Sequence, residues 1–202
     1  MRNKVFVTDI DDCVLQWKEG FFKFLKTKGW HQDPTSKCDS WNIWTWICDS
    51  YGEKMDKVLA IEYITEFNGY PRVLKPLQST QFYLPLIKSQ GFDIIGLTSF
   101  GGCPIQTKFR QEYLDVLFPN IFKEVIVLPL GACKNDALLK LKPDYFIEDN
   151  RANADKACDL GIKTLLLSTS YNQGSFDSIY VNNWEDIYCI VVEDLDPDCK
   201  YW

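Results

Sequence analysis

Histidine is nearly absent. His31 is the only one in 202 residues, which excludes a multi-histidine metal site, and no nucleophile motif accompanies it to make a triad. It reads as an ordinary polar residue. Long apolar runs are missing as well: VIVLPL at 125–130 and KTLLLS at 163–168 fall far short of the roughly 20 residues that cross a bilayer. The opening MRNKVFVTDI is too short an apolar run for a secretion signal and is interrupted by Asp9. A cytoplasmic protein with no membrane partner is expected. No GxGxxG follows a strand pattern and no GxxxxGK(S/T) occurs, so nothing supports a dinucleotide or P-loop site. The eight cysteines contain no CxxC pair and read as reduced thiols rather than staples or zinc ligands. An excess of basic residues is lacking too: 22 Lys and Arg face 28 Asp and Glu, a net charge of −6. An extended nucleic-acid track is not expected, whereas a small phosphorylated substrate in a locally neutralised pocket is compatible with that balance.

What is present is a globular composition, 46% hydrophobic and 25% charged, in a chain long enough for one core and a small inserted subdomain. KVFVTD at 4–9 is a buried strand running into the acidic turn DIDD, followed by a helical pattern at 17–28. Residues 31–76 differ in texture, with Trp41, Ile43, Trp44, Trp46 and Ile47 clustered before a helical stretch at 53–67. They predict a small, mostly helical insertion, with Pro71 and Pro76 marking the return. Thereafter helices at 78–89, 104–117, 134–141 and 151–160 alternate with strands at 93–97, 123–127, 145–148 and 163–167. That alternation implies βαβ units and a mainly parallel sheet: an α/β, Rossmann-like three-layer core over 1–30 and 77–202. Gly161 fits a helix C′ position, and Asn183 caps a last helix near 184–192.

Polar groups stand at four strand ends: Asp9, Asp11 and Asp12; Thr98 and Ser99; Lys134 some way after the third; Glu148 and Asp149. Parallel strands set such ends side by side. Clustered carboxylates repel unless a cation sits among them, and all-oxygen donors suit a hard ion. Mg²⁺ is therefore expected on Asp9, Asp149 and the main-chain carbonyl of Asp11. Asp9 can attack phosphorus to form an aspartyl-phosphate, and Asp11 is placed to move the proton of the leaving oxygen. Thr98 can donate to a phosphoryl oxygen, and Lys134 can offset negative charge, each such donor contributing about 2.7–4 kcal/mol. Lys134 is preferred over Lys140 and Lys142 because it lies at the loop-to-helix boundary. Gly101-Gly102 lets the backbone turn after Thr98 and expose amides to phosphate.

FVTDIDDCV (6–14), IIGLTS (94–99), Lys134 and YFIEDNRAN (145–153) resemble, in order, the four motifs of the haloacid-dehalogenase-like phosphatases. The resemblance runs from residue 5 to about 168, outside the insertion. It implies the core fold of that family with a cap, Asp9 as nucleophile, Asp11 as acid/base, Thr98 as phosphate donor, Lys134 as the stabilising lysine and Asp149 as the Mg²⁺ carboxylate. DIDDCVLQWKEGFFKFLKTKG also resembles the opening of the 5′(3′)-deoxyribonucleotidase branch. Two positions depart from the pattern: Asp12 stands where many members have glycine, and Glu148 precedes Asp149 where the motif often reads Asp-Asp.

The insertion's tryptophans have two readings. They hold a small subdomain against the core, or Trp41, Trp44, Trp46 and Phe22 stack on a nucleobase, a contact worth roughly 1–3 kcal/mol. The leading expectation is a Mg²⁺-dependent phosphatase of nucleoside monophosphates, with Thr98, Ser99, Phe22 and Trp44 binding substrate. The alternatives are a phosphatase of sugar phosphates or nucleic-acid ends, a phospho-acceptor regulatory module, and an inactive scaffold. Oligomeric state, including a homo-oligomer, stays open at this level.

Overall fold

The computed structural model describes residues 3–70, 72–101, 104–174 and 177–196. Pro71, Gly102 and the end of the 193–202 tail lie outside the described residues. Six strands form one sheet: β1 (Lys4–Thr8), then β4 (Phe92–Thr98), β5 (Phe122–Val127), β6 (Tyr145–Glu148), β7 (Thr164–Leu167) and β8 (Ile179–Val181). The numbers β2 and β3 belong to a small separate ribbon, His31–Gln32 and Ile47–Cys48. The order is β5-β4-β1-β6-β7-β8, and every neighbouring pair is parallel. Alternation along β1 explains its two-sided burial. Phe6 packs into the larger cluster with Ile94, Ile147, Leu165 and Trp184, while Val7 faces Ile95, Leu97, Phe146, Leu138 and Ala157 on the other side.

Helices cover both faces. α3 (Thr80–Ser89) and α7 (Trp184–Leu195) send Leu84, Ile87, Ile187 and Val191 into the larger cluster, as does α4 (Pro104–Leu117) through Leu114. α5 (Asn135–Leu141) and α6 (Arg151–Asp159) send Leu138 and Ala157 into the smaller one. This is the expected three-layer α/β core. Gly161 has φ +73°, as a helix C′ residue should, and the Asn183 side chain accepts the Asp186 N–H at 3.0 Å to start α7. β8 is the one core strand that sequence patterning does not anticipate. It has three residues on the sheet edge, one of them buried, so neither alternation nor an apolar run marks it.

Residues 31–76 contain more than helix. β2 and β3 pair antiparallel, a 3₁₀ turn covers Ile43–Trp46, and α2 spans Lys57–Asn68. α2 starts later than the expected 53 because the Asp56 carboxylate caps it, accepting from Val58 N at 2.7 Å and Leu59 N at 3.0 Å. α2 lies on α1 (Trp17–Thr27) through rings: Phe67 meets Trp17, Phe21 and Phe24 at 5.7, 5.4 and 5.5 Å between centroids. The stretch that comprises α1 and this segment begins and ends at one place. Gln16 N donates to Lys75 O at 2.9 Å and Leu77 N to Val14 O at 2.7 Å.

Candidate active site

β1 is central, with β4 on one side and β6 on the other. The connections from it run first to one half of the sheet and later to the opposite half, which opens a crevice at the carboxyl ends of these strands. Register then sets the chemistry. Thr8 lies level with Gly96 of β4 and Ile147 of β6, so Asp9, Thr98, Glu148 and Asp149 emerge together. Asp9 N stays on the ladder, donating to Ile147 O at 2.9 Å. Gly96 leaves room for the buried Ile10 side chain, whose Cδ1 a Cβ would meet at 2.8 Å. After Asp9 the chain reverses within a few residues: Val14 N and Leu15 N both donate to Ile10 O, and Asp12 takes φ +61°. That left-handed backbone explains why glycine suits the position in sequences of this pattern. Asp12 instead uses its carboxylate to accept Lys18 N at 3.0 Å, and burial raises its pKa to about 6.

Lys134 is 3% exposed and reaches two carboxylates, Asp9 Oδ1 at 2.5 Å and Glu148 Oε2 at 2.8 Å. Burial alone would lower the Lys134 pKa, but the charges of Asp9 and Glu148 overcome that and raise it, so the ammonium is retained. Asp9 is driven up to about 8, first by burial and then by Glu148 and Asp11, against the pull of Lys134. Its other oxygen has no hydrogen-bond partner among the described residues, and Asp9 lines the cleft. Glu148 is fully engaged, because its second oxygen accepts Asp149 N at 3.2 Å and Asn150 N at 3.1 Å. Both residues line the cleft, and Glu148 already serves the lysine and its own turn.

Asp149 is 1% exposed, and Tyr171 donates its hydroxyl to Oδ2. Asn172 ties the Asp149 carbonyl at 2.8 Å to the end of β7, donating also to Leu167 O at 2.7 Å. Burial, then the charges of Glu148 and Asp9, raise the Asp149 pKa well above the carboxylate range. Asp9, Asp149 and Cys13 bring ligand atoms within 4.8 Å of one another. Burial pushes the Cys13 thiol up and keeps it neutral, so the donors on offer are carboxylate oxygens. Two buried, mutually repelling carboxylates fit a hard divalent cation, which would stabilise the ionised form of both.

Asp11 sits differently from Asp9. Its carboxylate is held by Arg110 Nη1 at 2.5 Å and by Thr98 Oγ1 at 3.1 Å. Thr98, expected to face phosphate, here directs its single hydroxyl proton to Asp11. Ser99 lines the cleft but donates to Ala132 O at 3.0 Å. The cleft has a volume of about 470 Å³, and its outer wall includes Trp41, Ile43, Trp44, Ile61 and Ile64 of the 31–76 segment. Trp44 thus lines the cleft. Phe22 does not: it packs on the buried Trp46 at 6.4 Å, one helical turn beyond Lys18, and neither ring lines the cleft. Gly101, with φ +150°, begins the turn after β4.

Arg110, Lys18, Tyr171 and Asn172 escaped the sequence reading. Arg110 left a signal, since it stands one turn before Leu114 on the buried face of α4, where a charge needs a partner. Tyr171 and Asn172 follow β7 in a polar loop without periodicity, and nothing in the sequence singled them out.

No family model and no curated protein matches this sequence. Solved structures do match its fold. A haloacid dehalogenase-like hydrolase from Streptococcus pneumoniae superposes with a TM-score of 0.62 at 14% identity, covering 93% of this chain and 98% of that one. A HAD-superfamily hydrolase from Ehrlichia chaffeensis gives 0.55 at 12%, covering 97% and 100%. An L-2-haloacid dehalogenase gives 0.53 at 12%, covering 95% and 99%. The chain has the haloacid dehalogenase-like fold, and that fold alone carries more than one chemistry.

Proposed function

We propose that this protein is a Mg²⁺-dependent phosphomonoester hydrolase that works through an aspartyl-phosphate on Asp9. The observation that carries the reading is the state of Asp9: buried, lining the cleft beside Asp149, with one oxygen bound to Lys134 and the other without a hydrogen-bond partner among the described residues. A nucleophile that displaced halide from carbon would have no phosphoryl dianion to approach and so no use for a bound cation. A nucleophile that attacks a phosphate dianion does, because the two negative groups must be brought together. Asp9 and Asp149 would hold the Mg²⁺, with the Asp11 carbonyl as a third oxygen, and the ion would screen the charge of the phosphoryl group.

Asp9 attacks phosphorus, and the ester oxygen departs with a proton delivered from Asp11, whose carboxylate takes one up from solvent once the Thr98 hydroxyl has turned from it to the phosphoryl oxygen. Water then attacks the phosphoryl group, giving its proton to Asp11, and Asp9 is regenerated. Lys134 keeps Asp9 oriented and balances its charge, and Thr98 turns its hydroxyl from Asp11 to a phosphoryl oxygen. The 31–76 segment, with α1 beneath it, acts as a cap whose residues define what fits. Its tryptophan and isoleucine wall, with the resemblance to the deoxyribonucleotidase branch, favours a nucleoside monophosphate with the base on Trp41 or Trp44. The six free cysteines among the described residues suit action in a reducing compartment such as the cytoplasm.

Hydrolysis of a panel of ribo- and deoxyribonucleoside monophosphates and sugar phosphates, with Mg²⁺ and with EDTA, tests this. Mg²⁺-dependent release of phosphate is expected, and Asp9→Asn abolishes it. Undiminished turnover in Asp9→Asn would remove the nucleophile. Trp44→Ala is expected to raise KM for nucleotides and leave it unchanged for small sugar phosphates.

A further inference from the structure

Both oxygens of Asp11 are occupied, and one of the partners comes from outside the strand ends. Arg110 projects from the second turn of α4, 6% exposed, with its guanidinium 4.4 Å over the Phe100 ring and 2.5 Å from Asp11 Oδ1. Phe100 is itself fixed. Its carbonyl accepts Asn68 Nδ2 at 2.9 Å, and Asn68 Oδ1 accepts Trp17 Nε1 at 2.9 Å. Asn68 is the last residue of α2, so one run of contacts leads from the 31–76 segment through Phe100 and Arg110 to Asp11. Arg110 does not line the cleft, and the phosphoryl chemistry proposed above leaves it without a role.

We infer that Arg110 is a positioning residue: it sets where the Asp11 carboxyl stands relative to the ester oxygen. This rests on the phosphatase reading. A planar guanidinium stacked on a ring holds a carboxylate in one orientation, which a flexible ammonium does not. With Arg110 on Oδ1, the oxygen that can be freed to face substrate is Oδ2, and the group holding it is Thr98, which turns to the phosphoryl oxygen when substrate arrives. One hydroxyl rotation thus releases the acid while Arg110 keeps the carboxyl aimed.

The test compares two substrates in the full-length protein with Mg²⁺. An alkyl phosphomonoester needs a proton on its leaving oxygen, and p-nitrophenyl phosphate does not, while kcat/KM reports formation of the phospho-enzyme for both. Arg110→Gln is expected to lower kcat/KM for the alkyl ester on the order of tenfold to a hundredfold and to leave that for p-nitrophenyl phosphate nearly unchanged. Arg110→Lys should fall between Arg110→Gln and the native protein. In an Asp11→Asn background, which removes the buried charge and protects folding, Arg110→Gln should add no further loss. Equal losses on both substrates, or a full further loss in the Asp11→Asn background, would show a structural role and overturn the inference. A native protein inactive on both substrates would sink the phosphatase reading, and Arg110's role with it.

Discussion

Lys134 is the residue on which the buried charges balance. Between Asp9 and Glu148 it is the sole cation in contact with either among the described residues. Lys134→Met would leave two carboxylates facing each other out of water, so we expect a loss of about 3–5 kcal/mol in urea unfolding together with the loss of turnover. Adding Glu148→Gln to that variant should restore part of the stability and none of the activity. The residue scale is also where the sequence was most legible. Asp9, Thr98 and Asp149 each stand at or just past the end of a strand marked by an apolar run, and Lys134 at the boundary where α5 begins; such positions are information a sequence holds. Arg110 and Tyr171 act through partners 99 and 22 residues away, and which residue lies across a crevice is settled by packing.

At the scale of elements, strands and helices of the core could be read from their periodicity because each buries a regular face. The ribbon of β2 and β3 could not, since two residues on each side leave no period to detect. What fixes that region is a polar knot. Asp33 accepts from Thr35 N at 2.8 Å, Thr35 Oγ1 at 2.7 Å and the Lys54 ammonium, and its own N–H bonds Trp46 O. Lys54 and Thr35 lower the Asp33 pKa to about 2. A carboxylate held below its unfolded value of 3.8 adds stability above that pH, and the contribution is lost as pH falls through about 2. Asp33→Asn should therefore flatten the pH dependence of melting between those two values and lower Tm at neutral pH, as read by circular dichroism.

Taken whole, the molecule brings to one crevice side chains from β1, β4, β6 and the start of α5, and no single stretch of chain contains the site. The fold class was legible because βα alternation admits few topologies. The convergence follows from strand order, with β1 flanked by β4 and β6. Its thermodynamic signature should be measurable without any substrate. Mg²⁺ is expected to raise Tm in the native protein, since it relieves repulsion between Asp9 and Asp149 in the folded state only. Asp149→Asn should show little or no such rise, and an equal rise in both proteins would place the ion elsewhere.

The two crossings at 14–16 and 75–77 bear on how such a protein can change over time. Because the ends of the intervening stretch are hydrogen-bonded neighbours, additions or deletions between them need not alter the spacing of β1, β4 and β6. Mutation can reshape what is admitted to the crevice while the carboxylates keep their places, so selectivity and reactivity are free to drift at separate rates along a single gene.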